Sequence, residues 1–304
     1  AALRAAVAAG GGAARDDGFE KFMYLAQVLD SGAEAKECLE AGVAILERLL
    51  ATPSATRSGT HADAEAAAHL RSQLAAALCA LAEQVYCEDE ELGADAEVAA
   101  MLAECEALYA RAAGVDAGSP EPLHGLANVR LQQGRRDEAR ALMERSLAIW
   151  APDCLEEESA PASAAADEVD PAAAEAAALA SAAASLGAEP PSIEMRVEAA
   201  KLLLECEMAR AARRVLRGLV AEDDRVFDAW CLLGLSHVHC ARGGSEAARR
   251  DGADAARECA DRAGALVREG DAYTEQSRAM VAALVEDADA LHTDGGGGGG
   301  GGGG

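Results

Sequence analysis

The sequence predicts an all-α chain of stacked helical hairpins, and three observations carry that prediction. Apolar residues make up 51% of the chain but aromatic residues only 3%. Much of the apolar count is Ala, which forms helix well and buries little area, and strand-forming runs of Val, Ile and aromatic residues are missing. From Leu123 to Trp150, apolar residues recur at three- and four-residue spacing along two successive segments. Ala200 and Gly234, small residues on expected helices, are 34 positions apart. Thin cores of this kind suit a stack of small units better than one large globule.

The stretch at 120–150 shows the unit most fully. Ser119 is placed to cap a first helix, with Pro120 in its first turn, where a missing N–H costs nothing. Leu123, Leu126, Ala127 and Leu131 share one face of that helix, and Gly134 ends it. Ala139, Leu142, Met143, Ser146 and Leu147 share one face of a second helix. Small residues at Ala127, Ala139 and Ser146 let the two backbones approach closely, while the large ones fill the space between. This order of large and small positions resembles a tetratricopeptide repeat, a 34-residue helical hairpin. Arg130 stands where that repeat usually has an aromatic residue. The resemblance implies a solenoid of about five hairpins wound as a right-handed superhelix, with first helices lining its inner wall.

Taken in order, residues 1–18 read as a disordered N-terminus. They begin without Met, as a fragment or a processed end would, and match a targeting peptide only weakly. Residues 19–150 carry the N-terminal repeats. Phe22, Leu25, Ala26 and Leu29 mark one helix, and Ala35, Leu39, Gly42, Val43 and Leu46 the next. Residues 51–68 read as a loop from their Pro, Ser, Thr and Gly. A third helix is expected over Leu70–Glu88, with Leu78, Leu81, Ala82 and Val85 on its core face, and a fourth over about 95–113. Residues 151–191 read as an acidic, Ala- and Pro-rich linker, within which Asp170-Pro171 could open a short helix. Order resumes at Ser192, and residues 192–291 hold the C-terminal repeats and a capping helix over 273–291. The last hairpin is expected to have a long turn, Arg242 to Asp251. Residues 292–304 form a Gly-rich flexible tail.

The net charge is −26, from 53 acids against 27 bases. Nucleic-acid phosphate and anionic membrane surfaces are repelled by such a chain, and a basic partner is attracted. Residues 72–110 hold nine acids and no Lys or Arg, and 151–191 repeat that imbalance. The nine Cys include no C-x-x-C pair and sit singly on expected helices, as small apolar residues do, which points to a reducing compartment. No run is long and apolar enough to span a membrane. His237 and His239 are two apart, so on one helix they point away from each other and cannot chelate one ion. No nucleophile signature or phosphate-cradling loop is present. The expectation is a non-enzymatic protein with no cofactor and no metal.

The repeat register places Glu20, Asp30, Glu83, Glu121, Asn128, Glu194, Glu205 and Asp228 on the inner wall, with Arg130 and Lys201 as nearby exceptions. Some tetratricopeptide co-chaperones grip an acidic C-terminus with Lys, Asn and Arg on these helices. Asn128 matches one such position, but His124 and Glu83 stand where cations would be needed. The groove therefore reads as a receptor for an extended Lys/Arg-rich segment.

Pro190 to Gly234 narrows the reading. Its K-L-L-L-E, V-L-x-x-L-V-x-E-D-D and W-x-L-L-G elements, with L-A-N-V-R-L-Q-Q-G-R-R-D-E-A upstream of an acidic break, resemble the assembly chaperones of large-subunit ribosomal protein L-four. The resemblance spans roughly 19–50, 74–150 and 190–270. It implies a dedicated chaperone that shields a basic extension of the newly made ribosomal protein. It also implies residence in cytoplasm and nucleus, and encounters with nuclear import factors. A generic scaffold joining subunits of another complex is the alternative that composition alone leaves open.

Overall fold

The computed structural model describes residues 18–29, 31–51, 61–88, 95–159, 191–269 and 274–293. The regular structure among these residues is α-helix. Two compact units divide the chain after Ile149.

The first unit is three successive hairpins. Helices α1 (Glu20–Gln27) and α2 (Gly32–Ala51) form one, α3 (His61–Glu88) and α4 (Asp95–Val115) the second, and α5 (Glu121–Gln132) and α6 (Arg136–Trp150) the third. Helix α2 packs on α3, and α5 packs on both α3 and α4, so each hairpin covers the apolar face of the one before it. Ile45, Leu46, Leu78, Ala82, Cys105 and Ala112 are fully buried along this stack. Within the third hairpin the small residues predicted to meet are enclosed: Ala127, Ala139 and Ser146 have no exposed surface. His124 lies among them, hydrogen-bonded to Ser146 Oγ at 2.7 Å. Burial lowers the His124 pKa to about 4, which keeps the ring neutral.

The second unit opens with α7 (Asp153–Ser159), followed by the hairpins α8 (Ile193–Glu205) with α9 (Ala209–Glu222) and α10 (Phe227–Ala241) with α11 (Glu246–Glu269), and closes with α12 (Glu275–Thr293). Helix α12 covers both α10 and α11, as the expected cap. Its core is narrow and Ala-rich: Ala241, Ala253, Ala256 and Ala260 pack against Leu284, Ala288 and Leu291. Gly252 of α11 faces Ala241 of α10, and a Cβ there would collide with the Ala241 methyl, so the two backbones meet at a point only Gly permits. Trp230 Nε1 donates to the Asp224 carbonyl at 2.7 Å and fixes the acidic turn ahead of α10.

Four local expectations are corrected. Helix α3 begins at His61 instead of Leu70, because the Pro, Ser, Thr and Gly content ends at Thr60 and A-D-A-E-A-A-A is a run of good helix formers. Ser119 does not cap α5; Pro120 takes the capping position without a side-chain bond. The turn of the last hairpin is only residues 242–245, with Ser245 Oγ accepting the Ala248 N–H at 3.2 Å. The segment read as linker starts as helix α7. There Cys154 is buried and Glu158 Oε2 accepts the N–H groups of Arg210 and Ala211, each at 3.1 Å, capping α9 from outside. The remainder of that linker, the Asp170-Pro171 helix, residues 1–17 and the Gly-rich tail from 294 lie outside the described residues.

The hairpins α5–α6 and α8–α9 share one turn. After α5, the Gly134 N–H donates to Leu131 O at 2.9 Å and the Arg135 N–H to Arg130 O at 2.8 Å. After α8, the Glu207 N–H donates to Leu204 O at 3.1 Å and the Met208 N–H to Leu203 O at 2.8 Å. Both are the paired closing bonds of a left-handed helix stop. The pivot residue has φ +72° at Gly134 and +58° at Glu207. Glu207 carries a Cβ in a conformation that costs an L-residue about 1–2 kcal/mol. Glu207→Gly is expected to raise unfolding stability by up to about 1 kcal/mol, and Gly134→Ala to lower it by a similar amount, both read as urea midpoints.

A second expectation concerns pH. His124 is depressed from 6.5 in the unfolded chain to about 4 in the fold. Its contribution is therefore complete above pH 6.5 and is lost progressively as pH falls toward 4. His124→Gln should flatten the fall in urea midpoint across that window relative to the unaltered chain.

Candidate functional site

Several of the cations that the fold orders are engaged by acids from neighbouring helices. Arg130 of α5 turns back to α4 and grips Glu106 with two nitrogens, at 2.5 and 2.6 Å, while also donating to Gln133 at 2.9 Å. The Arg130 guanidinium holds the Glu106 carboxyl down at about 2. Lys36 of α2 meets Glu104 of α4 at 3.2 Å, and Arg111 of α4 pairs with Glu47 of α2. In the second unit Arg196 of α8 pairs with Glu222 of α9 at 2.7 Å, and Arg257 of α11 with Asp289 of α12 at 2.5 Å. These cations tie helix to helix. Since acids outnumber bases almost two to one, carboxylates are left over.

Some of these carboxylates lie on the first helices of the hairpins. In the first unit Glu83 of α3 and Glu121 of α5 have no ion-pair or hydrogen-bond partner among the described residues. Burial raises the pKa of Glu121, and the Glu83 charge raises it further. Desolvation raises Glu83 as well, although its side chain is more exposed than the half-buried Glu121. Tyr109 and Cys79 are pushed upward too, first by burial and then by the nearby carboxylates, and stay neutral. Asn128 is half-buried two turns along α5 from Glu121 and adds a polar group without charge.

In the second unit Glu194 of α8 and Asp228 of α10 come together at the rim of one cleft of about 380 Å³. Glu198 and Asp223 stand on the same rim, and Ile193, Val197 and Val226 form its apolar part. Sequence reasoning missed Glu198 and Asp223. Glu198 was legible, one helical turn after Glu194 on the same face. Asp223 is brought in by the extended connection between α9 and α10, which no periodicity reveals. Lys201, expected as a cationic exception on the wall, is taken up by Glu198 at 2.7 Å.

The remaining expected wall residues stand apart from these two groups. Glu20 is exposed in the first turn of α1, and Glu205 is exposed at the end of α8. Asp30 lies outside the described residues. His237 is lowered to about 3 by burial and by Arg217 and Arg213. Among the described residues no cluster of His, Cys, Asp and Glu could hold a metal ion, and no helix is long and apolar enough to cross a membrane. What the arrangement offers is two solvent-facing acidic surfaces on rigid helices, each underlain by apolar or neutral groups.

Helical hairpins stacked in this order within each unit define a tetratricopeptide-like protein. No family model matches the chain. A Schizosaccharomyces pombe protein named "Probable assembly chaperone of rpl4" is 30% identical over 233 residues, which cover 77% of this chain and 56% of that protein. An Emericella nidulans protein of the same name is 33% identical over 130 residues, 43% of this chain and 26% of that protein. The solved structure of the assembly chaperone of RpL4, Acl4, is 27% identical and superposes with a TM-score of 0.58, covering 77% of this chain and 73% of that one. The chain is a relative of the assembly chaperones of RpL4, as its sequence elements imply. It spans about half the length of the Schizosaccharomyces pombe relative and about a quarter of the Emericella nidulans one.

If Glu83 and Glu121 repel each other, Glu83→Gln lowers the titration midpoint of Glu121. Carboxyl-carbon NMR across pH 3–8 reads this directly, and an unmoved midpoint would separate the two groups.

Proposed function

We propose that this chain is a dedicated chaperone for a newly made large-subunit ribosomal protein of the L-four type. It holds a basic extension of that client along the acidic faces of its first helices. The unpaired carboxylates at Glu83 and Glu121, and those around the α8–α10 cleft, carry this reading. The kinship with proteins named as assembly chaperones of rpl4 supports the identity of the client. A basic extension is disordered when free, so it must lose chain entropy to bind, and a row of contacts over several helices offsets that cost.

The action is binding rather than catalysis. Carboxylates that repel one another are neutralised when a Lys or Arg settles between them, so the client relieves a repulsion already present in the empty protein. Covered in this way, the client's cations are withheld from stray RNA, with which an acidic chain cannot compete for its own account. The client is handed over in ribosome assembly, which places the working range of the chaperone in cytoplasm and nucleus, in contact with import factors and away from nucleic acid and membranes.

Calorimetry with the basic internal extension of ribosomal protein L-four, at low and at moderate salt, tests the reading against a scrambled peptide of equal charge. The extension should bind tightly and survive moderate salt while the control is lost. Glu83→Gln combined with Glu121→Gln should weaken the extension by about three- to tenfold at low salt. Equal, salt-labile binding of both peptides would defeat the proposal.

A further inference from the structure

The cleft at the start of α8 and α10 combines two surfaces that rarely meet by accident of charge alone. Val197, which is buried, and Ile193 and Val226, both half-buried, form its apolar lining. Its lining carries carboxylates from two segments, Glu194 and Glu198 from α8 and Asp223 and Asp228 from the α9–α10 side; Lys201 holds Glu198, which leaves Glu194, Asp223 and Asp228 to face an incoming cation. Local structure accounts for part of this. Glu194 and Asp228 stand in first turns, where an acid is favoured, and Asp223 accepts the Arg225 N–H at 2.9 Å. Those roles explain acids at helix starts. They do not explain an open apolar trough between the two sets.

We propose that this cleft is a pocket for one arginine side chain from the client's basic segment. The occupant follows from complementarity. A methylene stem covers the apolar trough, and a cationic head reaches the rim. The volume of about 380 Å³ admits a single long side chain. Acids contributed both by α8 and by the α9–α10 side suit a planar guanidinium, which directs five donors in fixed directions, better than a compact ammonium. The inference deepens the function proposed above and takes its partner from it. It converts a diffuse acidic field into a point of register, since one side chain of the client is read by shape as well as by charge.

The test uses the full chain with three peptides of equal charge and length, alternating Gly with arginine, lysine or the short-stemmed 2,3-diaminopropionate. Methyl NMR of Ile193, Val197 and Val226 and the dissociation constants are recorded together. The arginine peptide should shift these methyls and bind about tenfold tighter than the short-stemmed one and about threefold tighter than the lysine one. Val226→Thr should reduce the first ratio to about twofold, and Asp228→Asn, at an exposed position, should weaken arginine selectively while lowering the thermal midpoint only slightly, by the loss of one first-turn charge. Equal affinities, or methyls that do not move, would overturn the pocket. The ribosomal extension is then added to the same sample. Binding without methyl shifts removes the pocket and leaves the chaperone reading standing. Arginine-peptide shifts without binding of the extension keep the pocket and remove that client.

Discussion

Everything in this protein depends on how closely its helices approach one another. An Ala-rich core buries little area per residue, so the hairpins gain adequate contact only where backbones nearly touch. Ala127, Ala139, Ala200, Ala212 and Ala256 have no exposed surface, and Gly252 lies against Ala241 where even a methyl would not fit. The few large residues, among them Leu46, Leu78, Met143, Leu203 and Leu216, fill the gaps that remain and are fully enclosed. Close approach also fixes the turns. The hairpins α5–α6 and α8–α9 close through the same pair of backbone bonds, once on Gly134 and once on the less suitable Glu207.

The same closeness organises the charges. Helices set this near each other bring Arg130 onto Glu106, Arg196 onto Glu222 and Arg257 onto Asp289, so the scarce cations become cross-helix ties. Glu83, Glu121, Glu194 and Asp228 of the first helices stand outside those ties. An acidic surface of this kind is a by-product of helix packing under a charge of −26, and it is also what a cationic client needs. Stability and binding thereby draw on separate sets of residues. The acids that could meet a client, Glu83, Glu121 and Asp228, take no part in those ties between helices.

The α8–α10 cleft adds shape to that charge. Asp223 and Val226, in extended backbone between α9 and α10, line it together with Ile193 and Val197 of α8. The buried neutral groups beneath Glu83 and Glu121, Tyr109 and Cys79, show a related pattern in the first unit: carboxylates placed over a low-polarity floor, where attraction to a cation is stronger than at an open surface.

The sequence by itself determined the all-α class, the number and order of the hairpins, the break at Gly134 and the small residues at each close contact, because these follow from side-chain size at fixed helical spacing. It put Glu83, Glu121, Glu194 and Asp228 on first helices, while their grouping, Glu83 near Glu121 and Glu194 near Asp228, comes from the fold. It misplaced the start of α3, the cap of α5 and the last turn, where helix propensity and backbone geometry outweighed the turn residues. Only the tertiary structure decided that Arg130 faces Glu106 instead of the wall, that Glu158 caps a helix more than fifty positions away, and that Asp223 and Val226 complete a cleft. Those contacts join residues with no common period, and their partners are chosen by how the hairpins stack.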